Sequence, residues 1–352
     1  MQFSESKLLL ESGESFHGLP PSWQNESFFG EAVFTTGMTG YVESLTDPSY
    51  AGQILVFTFP LIGNYGVPAR AFWESEKIQA AGVVVGDVSL WESHWDSECS
   101  LLHWLKEERV PLLTGVDTRA IAKTLRKKGV ALGAICAANA RPRHFPDPNC
   151  EHLVKRVSLP TREVYGSGPK TILAVDCGMK ENILRNLSAY PVRIIRVPYD
   201  YDYSDEEYDG LFISSGPGDP MVCKETIAVL QKAMKKKKPI FGICLGAQIL
   251  ALAIGAKTYK LKFGHRGQNH PCRDLEHDRC ILTSQNHGYA IKEDTLPKDW
   301  KVLFSSLNDG SVEGIVHKTM PWFAVQFHPE SNPGPTDARY LFYRFYEEVK
   351  NS

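Results

Sequence analysis

From Lys170 onward, short apolar runs alternate with stretches whose apolar residues recur every three or four positions. "TILAVDCG" is an apolar run ending in a turn, and "KENILRNLSAY" has the spacing of a helix. "VRIIRVPYD" and "YDGLFISSGPGDP" read as strands, "CKETIAVLQKAMKKKK" as a helix, "PIFGIC" as a strand and "LGAQILALAIG" as a helix. A short apolar run bounded by turn residues suits a buried strand, and a longer 3.6-period stretch suits an amphipathic helix. Their regular alternation predicts a parallel sheet with helices on both faces. Ligands of such sheets sit beyond the carboxyl ends of the strands. Two of those ends are "SSGPGD" and "GICLG", so both are expected to face one crevice.

The first part of the chain reads differently. "EAVFTTGMTGYVESLT" and "GQILVFTFPLIGNYG" predict strands with glycine-marked turns, while "DSECSLLHWLKEE" and "DTRAIAKTLRKKG" predict helices opened by Asp or Ser caps. Between 140 and 170 proline, glycine and polar residues cluster, as in "ARPRHFPDPNCEH" and "SLPTREVYGSGPKT". The expected organisation is therefore a mixed α/β domain over 1–150, a linker over 151–169 and an α/β domain over 170–352. After Lys257 the pattern turns to strands, through "CILTSQNHGYAI", "GSVEGIVHK" and "PWFAVQFHPE", and the amphipathic "DARYLFYRFYEEVK" closes it. Its aromatic residues, Tyr340, Phe342, Tyr343, Phe345 and Tyr346, are expected to pack in the core.

Composition narrows the function. The chain of 352 residues is 43% hydrophobic and 23% charged, as suits a globular protein of two domains. Its formal net charge of -2 gives no support to polyanion binding. No basic segment leads into a long apolar one at the N-terminus, so no signal peptide is expected, and no apolar stretch is long enough to span a bilayer. Eight scattered cysteines suit free thiols in a reducing, cytoplasmic compartment. His270, Cys272, His277 and Cys280 have metal-ligand types, but their spacing matches no common zinc module, and no metal site is expected. No P-loop and no G-x-G-x-x-G fingerprint occurs.

Three pieces carry chemistry. Cys244 sits between Gly242 and Gly246 where a strand gives way to a helix. A helix N-terminus lowers a thiol's pKa, and the glycines allow a tight turn with room for a substrate. The arrangement is that of a hydrolase nucleophile elbow with sulfur for oxygen, and it aims the Leu245 N–H where an oxyanion would form. His328 and Glu330, in "QFHPE", would share a face of an extended segment, so that Glu330 holds one ring nitrogen while the other meets the thiol. In "SSGPGDP", Gly216 and Gly218 let backbone N–H groups approach a ligand. Each piece alone has a plain alternative: a buried cysteine in a turn, a chance His–Glu pair, an ordinary loop.

Together, in that order on a strand–helix frame, the three resemble the class I, triad-type glutamine amidotransferases. "QILALAIGAKTYKLKFGHRGQNHP", "SQNHGYA", the stretch "GEAVFTTGMTGYVESLTDPSYAGQILVFTFPLIGNYG" and "GVDTRAIAKTLRKKG" look like the glutamine-hydrolysing small chain of carbamoyl phosphate synthetase. The resemblance covers essentially the whole chain. It implies a flavodoxin-like amidotransferase domain behind a small-chain N-terminal domain. It implies Cys244 as nucleophile on the glutamine amide, His328 as base and acid, and Glu330 as its orienter. It matches Ser49, Gly216, Gly218, Leu245, Gln248, Asn286, Gly288 and Tyr289 to the glutamine-binding positions, with Ser49 reaching in from the N-terminal domain. The ammonia would pass to a large synthetase chain, expected as a separate polypeptide. That chain would bind ATP and divalent metal and use bicarbonate to make carbamoyl phosphate for pyrimidine and arginine synthesis. No cofactor is expected in this chain, and no nucleic-acid or membrane partner. Two positions depart from the family pattern: Ala247 stands where histidine is frequent, and Ser215 where asparagine is. The rival readings are a non-catalytic docking subunit of the same complex, an amidase serving another ammonia acceptor, and a stand-alone thiol hydrolase.

Overall fold

The computed structural model describes residues 5–24 and 26–352; the start of the segment read for a signal peptide, 1–4, lies outside them. The chain divides into two compact units, 1–151 and 152–352. In the first, a seven-stranded sheet runs in the order Ser15–Gly18, Ser6–Leu10, Ala131–Ala137, Phe28–Thr35, Gln53–Phe57, Gly82–Val84 and Leu112–Leu113. The last four of these strands are mutually parallel and the others antiparallel. The apolar residues of Leu101–Glu107, with Val33, Leu55 and Val83 of the sheet, close a core on one face. Helix Thr118–Lys128 starts where expected, because the Asp117 carboxylate accepts from the Ala120 N–H at 2.9 Å. One expectation fails: "YVESLT" is a helix, Tyr41–Thr46, and no strand. Its Tyr41, Val42 and Leu45 are buried together, which the 3.6-residue period permits and strict alternation does not.

In the second unit five parallel strands form the centre of a ten-stranded sheet. In space they run Val192–Pro198, Lys170–Asp176, Gly210–Ile213, Ile240–Ile243 and Trp322–Val325. That is the 2-1-3-4-5 order of a flavodoxin-like sheet, whose topological switch point lies between its first and third strands. Each central strand is apolar on both sides. Leu173, Val175, Leu211 and Ile213 pack against Leu230 and Leu250 of helices Lys224–Ala233 and Leu245–Ala253. Ile172, Ala174, Phe212 and Phe241 pack against Ile183 and Phe345 of helices Glu181–Ser188 and Tyr340–Lys350. Helices on both faces thus follow from strands without a polar side. Of the C-terminal aromatics, Phe342 and Phe345 are core residues, but Tyr343 is exposed.

Beyond the fifth strand the sheet turns antiparallel, through Val312–His317, Arg279–Lys292, Lys257–Asp274 and Trp300–Ser306. The long hairpin of Lys257–Asp274 with Arg279–Lys292 carries the "NHPCRDLEHDRC" stretch at its tip, where Cys280 is exposed but Cys272 is buried. The segment expected as a linker, 151–169, belongs almost wholly to the second unit. It holds a helix, Leu153–Val157, and a strand, Glu163–Tyr165, antiparallel to Val192–Pro198. Leu153 and Val154 are buried there, so the proline-rich signal marked the edge of a domain and no free tether.

Candidate active site

The site lies at the carboxyl ends of the parallel strands. Strand Ile240–Ile243 ends in Cys244, whose N–H still donates to the Val325 carbonyl at 2.8 Å. The chain then reverses into helix Leu245–Ala253 within one residue. Cys244 takes φ 54° and ψ -105° to do so, a region costly to a residue with a Cβ, by about 1–3 kcal/mol, and met mainly at functional sites. The turn is tight enough that a Cβ on Gly246 would lie 2.2 Å from the Ile213 carbonyl oxygen, and one on Gly242 2.7 Å from that of Gly246. Only glycine fits at either position.

Among the described residues, three polar groups meet the buried Cys244 thiol. It donates to the Asn286 carbonyl at 3.6 Å and accepts from the Gln326 amide at 3.7 Å. The third neighbour is His328, which is also buried. Its backbone is fixed by an N–H bond to the Ser284 carbonyl at 2.9 Å, and its Nδ1 stands 2.6 Å from Glu330 Oε1. A carboxylate accepts, so Nδ1 carries a proton whether the ring is neutral or cationic, and Nε2 is the nitrogen left to exchange one with the thiol. Nε2 has no hydrogen-bond partner among the described residues. Burial works to lower the His328 pKa, but the Glu330 carboxylate and then Cys244 push it up to about 10. Burial would likewise raise Glu330, yet Lys180, then His328, bring it down to about 2.

His328 and Glu330 do meet as the motif implied, but by another route. Strand Trp322–Val325 has ended before them, and Ser331 N–H closes a turn onto the His328 carbonyl at 3.1 Å. That turn, and no strand pleat, folds Glu330 back beside the imidazole. Gln326 was not singled out in the sequence. Its Oε1 accepts from the Gln248 amide at 3.1 Å while its own amide reaches the thiol, so it ties a proposed substrate contact to the nucleophile. Its place two residues before His328 was the available signal.

The "SSGPGD" loop follows strand Gly210–Ile213. Ser214 Oγ donates to the Ser215 carbonyl at 2.8 Å and accepts from the Cys177 N–H at 2.9 Å. Gly216 then packs so closely that an added Cβ would lie 2.0 Å from the Cys177 carbonyl oxygen and 2.8 Å from Leu245 Cδ2. The Gly216 backbone therefore lies beside the start of the Cys244 helix, whose first N–H groups have no intrahelical acceptor. Gly218, at φ 86°, turns the chain onward. Asn286, Gly288 and Tyr289 lie along strand Arg279–Lys292, and the Tyr289 carbonyl accepts from Gln248 at 3.0 Å. Ser49 belongs to the first unit, in the turn Pro48–Tyr50, and its buried hydroxyl has no partner among the described residues.

Ala247 and Ser215, the two positions that depart from the family pattern, are both fully buried. Ala247 is buried in the core on one side of the sheet and Cys244 in that on the other. Ser215 Oγ reaches the Gly178 carbonyl at 3.5 Å.

The metal-ligand types that converge among the described residues are His265, His287 and Glu313, not the hairpin-tip set. They are engaged with one another and with their neighbours. His265 lies 3.1 Å from Glu313 and 2.9 Å from Asp309, and His287 lies 2.7 Å from the Tyr289 carbonyl and 2.8 Å from Gln285 Oε1. This reads as a buried hydrogen-bond network behind the Asn286–Tyr289 segment.

Residues 173–348 match the family model of glutamine amidotransferase class-I, and residues 8–135 that of the carbamoyl-phosphate synthase small chain, CPSase domain. A carbamoyl phosphate synthase arginine-specific small chain of Aspergillus oryzae is 49% identical over 358 residues, covering 97% of this chain and 79% of that protein. The chain belongs to the carbamoyl-phosphate synthase small-chain family. The small chain of the same name from Neurospora crassa is 47% identical over 365 residues, or 99% of this chain and 80% of that one. The multifunctional protein CAD of Squalus acanthias is 50% identical over 353 residues; there the match covers 97% of this chain but 16% of the larger protein. Among solved structures, a glutamine amidotransferase of Thermotoga maritima is similar over 53% of this small chain and 86% of that one, with 21% identity and a TM-score of 0.39.

Proposed function

We infer that this small chain is the glutamine-hydrolysing subunit of a carbamoyl phosphate synthetase, and that Cys244, His328 and Glu330 carry the hydrolysis. The observation that bears most weight is the buried hydrogen bond from His328 to Glu330, which leaves Nε2 bare beside a strained cysteine. His328 Nε2 takes the thiol proton, and the thiolate adds to the side-chain amide carbon of glutamine. The oxyanion is held by the N–H groups of Leu245 and Gly216, two residues that pack against each other. Collapse breaks the carbon–nitrogen bond, and the leaving ammonia takes its proton from His328. Water, deprotonated by the same nitrogen, adds to the γ-glutamyl thioester. The second oxyanion then expels the sulfur, which regains its proton, and glutamate leaves.

Glutamine's α-amino and α-carboxylate groups need polar and backbone partners. Gly218, Gln248, Asn286, Gly288 and Tyr289 supply that chemistry, together with the two oxyanion donors. The ammonia passes to a large chain that binds ATP, divalent metal and bicarbonate, and the product is carbamoyl phosphate. This chain's own step needs no cofactor. Eight free cysteines suit a reducing cytoplasmic setting.

The test is glutamate release by wild type and by Cys244→Ser, each with and without the large chain, ATP and bicarbonate. Wild type is expected to release glutamate fastest in the complex and Cys244→Ser to release none above background. Equal release by the two proteins, or none by either in the complex, overturns the reading and leaves a docking role in its place.

A further inference from the structure

The sheet face under helix Tyr340–Lys350 carries a row of residues set side by side by strand register. Phe241 pairs with Phe323, Phe323 with Val316, and Val316 with Lys301. Cross-strand partners share a face, so the row passes from the apolar core out to a charged side chain. At its inner end Phe345 of the helix packs on Phe241, and Phe241 stacks on Phe323 at 4.4 Å. Beyond Phe323 a cavity of about 300 Å³ lies between the helix and the outer strands. That is the lower end of the usual size of small-molecule sites. Val316 and Phe323 floor it, with Arg344 and Glu348 on the helix side and Lys301 and Lys318 on the strand side.

The cavity is remote from the glutamine site along the strands. Trp322 and Phe323, which line it, open strand Trp322–Val325. Cys244 and His328 lie past the carboxyl ends of their strands.

Its walls are fixed by contacts of their own. Arg344 donates to Glu276 at 2.7 Å and lies over the Phe323 ring at 4.8 Å. His317, also in the lining, sets its ring edge-on to Trp300 and Trp322, each at 5.2 Å. Its Nδ1 accepts from the Met320 N–H at 2.9 Å and the Thr319 N–H at 3.1 Å, so its proton sits on Nε2. Trp322 Nε1 donates to the Lys238 carbonyl at 2.8 Å. A site shaped in advance loses little freedom on binding.

Charge then selects the ligand. Lys301, Lys318 and Arg344 against Glu276 and Glu348 leave a surplus of one positive charge in the lining. Arg344 and Glu276 neutralise each other. Lys318 donates to the Lys298 carbonyl, and an ammonium has two more N–H groups to give. Lys301 and Glu348 have no ion-pair partner among the described residues. Two ammonium groups and one carboxylate are thus left around an apolar floor. Their complement is a small molecule with two carboxylates and one ammonium on a short carbon frame.

We propose that this cavity is a ligand site separate from the glutamine site, and that it takes an acidic amino acid. The two carboxylates meet Lys301 and Lys318, the ammonium meets Glu348, and the carbon chain lies on Val316 and Phe323.

The probe is L-aspartate, titrated into the full chain and followed by calorimetry and by tryptophan fluorescence, because Trp322 lines the cavity. Wild type is compared with Lys301→Gln and Glu348→Gln; neither side chain belongs to the core, so both variants keep the fold. Wild type is expected to bind saturably with a change in fluorescence, and each substitution to weaken binding about 10–100-fold, the usual loss of a hydrogen bond to a charged group. Succinate, which lacks the ammonium, should bind wild type more weakly than L-aspartate, and Glu348→Gln should abolish that preference. No saturable binding of L-aspartate in the millimolar range overturns the proposal. So does binding that either substitution leaves unchanged, which would place L-aspartate elsewhere on the chain. Succinate bound as tightly as L-aspartate overturns the assignment of an amino acid.

Discussion

At the scale of single residues, the site works by arranging charge in a dry place. Burial alone would neutralise Glu330 and His328; each is kept in its useful state by a neighbour close enough to outweigh desolvation. The sign of the resulting pH dependence follows. Glu330 is held at about 2 against an ordinary 4.5, so it contributes stability in full above about 4.5 and loses it as pH falls toward 2. Wild type should therefore lose stability more steeply than Glu330→Gln as pH falls from about 5 to about 3, as read from urea midpoints of the two proteins. Parallel decline of both would show that Glu330 is not held ionised by its surroundings. The cysteine was legible in the sequence because glycines on both sides of a thiol at a strand–helix junction have few other uses. Gln326 and Lys180 were not, since a lone glutamine or lysine carries no local pattern. Their roles arise only when strands distant in sequence lie side by side.

At the scale of elements, the glycines do more than loosen a turn. Gly246 lets the Cys244 helix seat its first turn against the backbone of the neighbouring strand at Ile213 and Ser214. A methyl there must push helix and strand apart. Gly246→Ala is expected to cost about 1–3 kcal/mol of stability, the usual range for overpacking, and to lower activity further by displacing the Leu245 N–H. Chemical denaturation and glutamate release measured on that variant check both parts; unchanged stability would mean the contact is not tight. The same scale marks where reading the sequence misled. Helix Tyr41–Thr46 lies where short apolar alternation and glycine-marked turns predict a strand, and burial of Tyr41, Val42 and Leu45 together decides the outcome. His328 and Glu330 were expected on a pleat and meet across a turn; Ser331, at φ 62°, adopts a conformation that no propensity announces for serine.

At the scale of the whole molecule, the parallel sheet explains why residues so scattered in sequence can act together. Lys180 follows the first strand of the central five in chain order, Gly216 the third, Cys244 the fourth and His328 the fifth, all at their carboxyl ends. The alternation of strands and helices made this part of the fold readable, and with it the expectation that "SSGPGD" and "GICLG" share a crevice. The antiparallel extension was readable only as strands, because the order in which they pair is set by packing and not by local pattern. The central claim is that Cys244 attacks glutamine itself. It is tested most directly by acid-quenching the complex during turnover and weighing this chain and its peptides. The account predicts a mass gain of one γ-glutamyl group, carried by the peptide containing Cys244 and absent from Cys244→Ser. Turnover without that adduct, or an adduct that persists in Cys244→Ser, would contradict it.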